Sequence, residues 1–324
     1  MVDQTSNYPD LISNGRIFPL WVLHNFKKYK LDSTLIQEGV DPCNIDTSVN
    51  NGKVLMLRQQ QAFIASYLDY NSPFRDLLLF HGLGSGKTAA IINLYNILYK
   101  SNPNWNIFLL VKAGLHDEPW MKELLIWINK EEFNDKIANI KFIHYDAPNA
   151  DKIFIDAIKT ADTNKKNMYI IEESHNFIKN VYNNITKKKG KKASTIYDHI
   201  QKEKREVKTR VILLSGTPAI NNPFELALTF NLLRPGIFPM IEQEFNDQYI
   251  KNNIIEKKNM FQRRILGLVS YYKGHTSDLF AKENLNFVDC IMSKYQQEIY
   301  EKLEKEEDKL RSSNKGSDYS TYTR

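Results

Sequence analysis

Short apolar runs recur through the middle of the chain, and each is followed by a segment with helical spacing. The runs are DLLLF (Asp76–Phe80), NIFLLV (Asn106–Val111), IKFIHY (Ile140–Tyr145), MYII (Met168–Ile171) and RVILLSG (Arg210–Gly216). Runs without polar alternation are strands buried on both faces. Upstream, LRQQQAFIASYL sets Leu57, Gln61, Ile64 and Leu68 on one helical face. TAAIINLYNILYK, PWMKELLIWI and ADKIFIDAI continue the helical spacing between the strands. Alternation of this kind predicts an α/β fold: a parallel sheet with helices on both faces, and ligands at the carboxyl ends of its strands.

Outside that core the pattern changes. Residues 1–50 are mixed, with an aromatic, basic stretch (Phe18–Leu31) suited to packing on a neighbour. Phe238 to about Gly274 reads as a helical extension. Asn286–Met292 (NFVDCIM) reads as a returning strand, and SKYQQEIYEKLEKEEDKL as a helix with Ser293 and Gln296 at capping-box spacing. The final residues are polar, turn-rich and expected to fray.

Composition adds little to this picture: 42% of the 324 residues are hydrophobic and 25% charged, as in ordinary globular chains. No apolar run approaches the roughly 18 residues of a membrane span, and the polar N-terminus lacks the apolar region of a signal peptide. Cys43 and Cys290 fit neither a disulfide framework nor a metal-ligand spacing. The expectation is a soluble, intracellular protein with no membrane partner.

Charge changes the picture more. The chain carries +6 in all, yet residues 183–211 alone hold ten Lys/Arg against three acids. The excess sits in one segment, centred on Lys187, Lys188, Lys189, Lys191 and Lys192. It reads either as a solvated lysine-rich loop or as a patch facing a polyanion.

The most specific chemistry lies in LLLFHGLGSGKTAA. A strand leads into Gly82, Gly84, Ser85 and Gly86, and Lys87-Thr88 open a helix. Glycines let backbone N–H groups turn inward around phosphates, and the helix N-terminus adds its positive dipole end. Lys87 is expected on the β- and γ-phosphates of a nucleoside triphosphate, and the Thr88 hydroxyl on Mg²⁺. The first glycine of the usual pattern is replaced by His81.

Such a loop needs a second strand bearing acids. YIIEESH supplies Glu172 and Glu173, two strand–helix units downstream. Glu172 is expected to support Mg²⁺ through a coordinated water, and Glu173 to orient and deprotonate the attacking water. A third strand ends in Ser215-Gly216-Thr217, whose hydroxyls suit a hydrogen bond to His175 and so a coupling role.

Taken together, these stretches resemble the first motor lobe of superfamily 2 helicases and translocases, in the Swi2/Snf2-like group and its ATPases from large cytoplasmic DNA viruses. LRQQQ is similar to the adenine-reading motif, which places Arg58 and Gln61 near the base. HGLGSGKT and EESH are similar to motifs I and II, although Glu172 stands where Asp is usual. LSGTPAINNPFEL is similar to motif III. LLVKAGLHDEPWMKEL resembles the Ia segment, with Trp120 and Glu123 at the W-x-x-E positions. FIHYDAP, HNFIKNVYNN and LVSYYKG resemble the poxvirus-type early transcription factor and nucleoside triphosphatase.

The resemblance implies a RecA-like P-loop lobe over residues 51–235 and a helical protrusion over 236–283. It implies a returning strand and helix over 284–310, and a polar tail over 311–324 that starts a second lobe. It further implies ATP and Mg²⁺ as cofactors, and catalytic roles for Lys87, Glu173 and His175. Nucleic acid, DNA rather than RNA, is expected to touch Lys112, His116 and the lysine-rich segment. RNA polymerase or other transcription proteins are implied partners, in host cytoplasm or virion. A chain ending at Arg324 leaves no room for the second RecA-like lobe, so the expectation is a fragment with weak turnover alone. A nucleotide-gated transcription-factor module that docks without translocating is the competing expectation.

Overall fold

The computed structural model describes residue 11, residues 15–30, 57–206, 209–219, 222–251, 254–273, 286 and 288–312. They fall in two compact units, Met1–Leu279 and Phe280–Arg324. Cys43 and the tail beyond residue 312 lie outside the described residues.

In the first unit the expected strands form as β1 (Leu77–His81), β2 (Trp105–Val111), β3 (Ile140–His144), β4 (Lys166–Ile171) and β5 (Arg210–Ser215). They are joined by α3 (Lys87–Ser101), α4 (Lys122–Trp127), α5 (Phe133–Ala138), α6 (Ala150–Lys159), α7 (Ser174–Ile185) and α8 (Lys192–Glu206). Ahead of β1 stand α1 (Phe18–Asn25) and α2 (Gln59–Tyr67); α9 (Phe224–Leu233) follows β5. The sheet is parallel throughout, in the order β3-β2-β4-β5-β1 with a sixth strand beyond β1.

Side chains alternate across the sheet, and this builds two cores. Leu78, Phe108, Leu110, Tyr169, Ile171, Val211 and Leu213 face one layer, against α6 to α9. Leu77, Leu79, Ile107, Leu109, Met168, Ile170, Ile212 and Leu214 face the other, against α2, α3 and α4. Every residue of β2 and β5 is buried, which is why these segments read as unbroken apolar runs.

Part of the aromatic stretch near the N-terminus packs on the same unit, while Leu20 and Leu23 of that stretch are exposed. Phe18 meets Phe74 edge-on at 5.7 Å, and Phe26 meets Phe63 at 5.2 Å.

The segment expected to be wholly helical is mixed. It holds α10 (Glu242–Tyr249), a short hairpin β6 (Ile250–Lys251) and β7 (Ile254–Ile255), α11 (Lys258–Arg264) and then β8 (Val269–Tyr272). β8 is the sixth strand, pairing with β1 from Leu78↔Val269 to His81↔Tyr272. The stretch reads as helix because it is short and charge-flanked. β-branched and aromatic residues nevertheless suit a pleated edge, and β1 offers a free row of hydrogen-bonding groups. The sheet therefore extends past residue 235.

In the second unit, the described residues of the expected returning strand carry no strand; Val288 and Ile291 are exposed. An acid and a cysteine interrupt the run, and no strand partner exists within this unit's described residues. The helix α12 (Lys294–Ser312) does form, and its start has the expected box. Ser293 N–H donates to Gln296 Oε1 at 3.0 Å, and Gln296 N–H to Ser293 Oγ at 3.3 Å. Among the described residues, no helix is long and apolar enough to cross a membrane.

Candidate functional site

β1 continues as strand through His81, so the position usually held by glycine needs no unusual backbone here. The left-handed turns fall at Gly84 (φ 69°) and Gly86 (φ 77°). His81 Nε2 lies 2.8 Å from Ser270 Oγ of β8. Burial, helped by the nearby Lys87 ammonium, lowers its pKa to about 4, so the imidazole is neutral.

Helix α2 braces the loop from outside. Gln61 Nε2 donates to the Gly86 carbonyl (3.1 Å), Gln60 Nε2 to that of Ser85 (3.5 Å), and Arg58 N–H to Gln61 Oε1 (2.8 Å). A Cβ at Gly86 would stand 2.1 Å from Gln61 Nε2. Arg58 itself is exposed, and only its backbone joins this brace. Lys87 Nζ donates to the carbonyls of His81 (3.2 Å) and Gly82 (3.5 Å), at the mouth of the loop.

Strand β4 delivers the two acids to different environments. Glu172 is 5% exposed, and its Oε2 has no partner among the described residues. Burial, then repulsion from Glu173, raises its pKa to about 7, while Lys87 draws it back. The Trp120 indole approaches the carboxylate without reaching hydrogen-bonding geometry, which leaves its own N–H unpaired. Glu173 turns away through a left-handed backbone (φ 47°, ψ 49°) and caps α7. A non-glycine residue held there costs on the order of 1–3 kcal/mol, so the neighbouring contacts must enforce it. Tyr145, from the end of β3, supplies part of that constraint, donating to the Glu172 carbonyl at 3.2 Å.

His175 Nδ1 stands 2.9 Å from Ser215 Oγ and 3.2 Å from Glu173 Oε2. The Asn176 amide donates to Nε2 at 2.9 Å, which puts the ring proton on Nδ1, shared between hydroxyl and carboxylate. Burial lowers the His175 pKa against the pull of Glu173, in keeping with this neutral tautomer. Thr217 does not reach His175; its N–H donates to Ser215 Oγ at 3.0 Å.

A cavity of about 660 Å³ opens among these groups, lined by Lys87, Glu173, His175, Gly216, Thr217 and Lys112. Gln60, Tyr145 and Asn176 did not stand out in the sequence; only the run LRQQQ carried a signal for the first.

The donor-rich loop fits a triphosphate. The orphaned Ser85 Oγ and Glu172 Oε2, buried beside the Lys87 cation, fit a bound divalent ion and its waters.

The expected nucleic-acid residues divide. Lys112 lines the cavity beside Asp146, whose carboxylate accepts from Ala113 N–H at 3.2 Å. His116 is turned inward: its ring packs on Phe142 at 4.3 Å, and Nδ1 pairs with Asp117 at 2.8 Å. The lysine segment is a folded turn. Asn184 accepts from Ser194 N–H at 3.1 Å and donates to the Lys189 carbonyl. Lys192 Nζ is engaged with the Ala147 carbonyl at 2.9 Å, while Lys188, Lys189 and Lys191 are exposed.

The profile of the SNF2-related domain family matches residues 49–323. The chain belongs to that family. It is 50% identical, over all its length, to a protein of Acanthamoeba polyphaga mimivirus that bears the provisional name ATP-dependent RNA helicase R350. It is 25% identical, over 83% of its length, to nucleoside triphosphatase I of Melanoplus sanguinipes entomopoxvirus. The chain spans 41% of each of these curated relatives. Among solved structures, the Sulfolobus solfataricus SWI2/SNF2 ATPase core in complex with dsDNA aligns at TM-score 0.50 and 19% identity. That alignment covers 80% of this chain and 54% of the other, and it shows the shared RecA-like fold. The SNF2-related domain thus accounts for the sheet order, the phosphate loop and the acid-bearing β4 together.

Proposed function

We propose that this SNF2-related domain binds ATP with Mg²⁺ at the β1–α3 loop and serves as the nucleotide-binding lobe of a viral nucleic-acid translocase. Hydrolysis to ADP and phosphate follows when a second RecA-like lobe completes the site. The observation that carries this reading is the convergence of Lys87, Glu173, His175 and Thr217 on one cavity at the carboxyl ends of β1, β4 and β5.

In this reading Lys87 leaves the two carbonyls it now contacts for the β- and γ-phosphates. Thr88 and Glu172 would hold Mg²⁺, which when bound would supply positive charge against the phosphates. Glu173 takes a proton from water, and the His175 Nδ1–H holds its carboxylate in place. Through Ser215, His175 links phosphate state to β5 and Thr217. Arg58 and Gln61 stand at the base end of the loop.

Duplex DNA, rather than RNA, is the proposed track. Lys112 at the end of β2 and the lysine turn beside the β3–α6 loop lie on the same carboxyl side of the sheet. A role in transcription, with RNA polymerase or its factors as partners, rests on the viral resemblance of the FIHYDAP and HNFIKNVYNN stretches.

The test uses the full-length protein. Lys87→Ala should abolish ATP binding measured by calorimetry. Glu173→Gln should keep ATP binding and lose nucleic-acid-stimulated turnover by roughly 10²–10⁴, the usual weight of a general base. Unchanged turnover in Glu173→Gln refutes the assignment. Tracking on DNA by that protein separates a motor from a docking module, which binds without moving.

A further inference from the structure

A second polar cavity lies at the opposite, amino-terminal end of the sheet. Its walls come from the segment before β1 (Pro73 to Asp76), the last turn of α8 (Lys204), the end of α9 (Leu233 to Pro235) and the residues before β8 (Gly267, Leu268). The enclosed volume is about 280 Å³. None of these residues belongs to the nucleotide site, and β1, β5 and β8 all run away from this end.

The charges around it do not balance. Arg75, Lys204 and Arg234 line the cavity, and Asp76 is the one acid among its described lining residues. Asp76 is already spent: Oδ2 pairs with Lys204 Nζ at 2.6 Å, and Oδ1 accepts Val211 N–H at 2.8 Å. Arg234 is half-buried and hydrogen-bonds only to neutral acceptors, the carbonyls of Arg264 (2.9 Å) and Leu266 (3.3 Å), while the Asp76 carboxylate acts on it without direct contact. Arg75 has no hydrogen bond or ion pair among the described residues. Arg210, fully buried near Arg75, adds a fourth positive charge; it donates to the carbonyls of Leu68 (2.7 Å) and Asp69 (3.0 Å). Asp69 answers that fourth charge in part.

Two helices end here, and helix carboxyl termini are partly negative. Each contributes about half an elementary charge at most. Set against three lining cations and one carboxylate, that still leaves about one positive charge facing a concave site. Partly buried guanidinium groups without a carboxylate are costly unless an anion completes them, and their fork geometry matches tetrahedral oxyanions.

We propose that this cavity is an anion site for a phosphate-class oxyanion, held by Arg75 and Arg234 with Lys204 behind them. It is separate from the phosphate loop and does not depend on the ATP-site reading. The volume accommodates a phosphate or pyrophosphate group.

The test must silence the phosphate loop first. Inorganic pyrophosphate is titrated calorimetrically, in chelator and at fixed ionic strength, into the chain carrying Lys87→Ala. One equivalent should still bind, and adding Arg75→Ala should weaken it about tenfold or more, the worth of a charge-assisted bidentate contact. Arg234→Ala should do the same. Arg234 also ties down the segment before β8, so if that variant fails to fold, Arg75→Ala, which breaks no bond, decides. No pyrophosphate binding in Lys87→Ala, or equal affinity after Arg75→Ala, overturns the proposal.

Discussion

His81 offers a quantitative handle on the phosphate loop. It is 1% exposed and neutral, with its pKa lowered from 6.5 to about 4. A histidine whose folded pKa is depressed gives stability that is present above pH 6.5 and lost as pH falls towards 4. In that window the unfolded chain binds the extra proton, so stability rises with pH. Between pH 7.5 and 5.0 the linkage for one such group amounts to about 2 kcal/mol. For a chain of this size that is a Tm difference of about 3 °C.

His81→Gln keeps a neutral polar side chain able to reach Ser270 and removes the titration. Thermal unfolding followed by circular dichroism at the two pH values should show the wild-type chain losing about 3 °C more than the variant. At pH 7.5 the variant should sit within about 1–2 kcal/mol of wild type, the scale of one buried hydrogen bond and some lost packing. Equal pH dependence in the two chains would refute the reasoning, because it would mean that His81 is not held neutral against β8.

Other outcomes follow from the same geometry. Gly86→Ala should destabilise the chain by more than about 1 kcal/mol and abolish ATP binding in calorimetry, since its Cβ would meet Gln61 and its φ is left-handed. Glu172→Gln, measured in chelator, should raise Tm at pH 8.5 but not at pH 5: the raised carboxyl pKa removes stability as pH climbs through about 7. Replacing Lys188, Lys189 and Lys191 together by Ala should flatten the log–log salt dependence of duplex binding by about 0.9 per lost contact. An unchanged slope would assign the turn to solvent. If the proposed function holds, residues 1–324 alone should turn over ATP far more slowly than a chain that carries a second RecA-like lobe, because an arginine from such a lobe would be worth about 10³–10⁵.

The four inner strands, β1, β2, β4 and β5, were legible because burial on both faces leaves continuous apolar runs, as in β2 and β5. The chemistry at their ends was legible because it is local: GSGKT and EESH each occupy one turn. β8 was not, because VSYY is short, sits at the sheet edge and is flanked by charge. Contacts between distant segments were also hidden. Nothing near His81 announces Ser270, and nothing in FIHYDAP announces that Tyr145 steadies the backbone of Glu172 and Glu173. The lysine run shows the limit of composition. Its charge was evident, but the withdrawal of Lys192 to Ala147 depends on a fold that places α8 beside the end of β3. The packing of His116 against Phe142 was hidden for a similar reason, since it joins segments far apart in the chain.

The pairing of β8 with β1 has a consequence for how the molecule is made. The strand that carries the phosphate loop is translated early, but its outer partner emerges about 190 residues later, roughly 10–40 s at ordinary ribosomal rates. Through that interval β1 has an unpaired edge, and His81 lacks the hydroxyl it rests on. A shortened chain ending near residue 235 would freeze that condition permanently, with the phosphate loop and both acids of β4 present and a sticky edge beside the nucleotide loop. Aggregation during synthesis, rather than loss of chemistry, is the failure to expect from it.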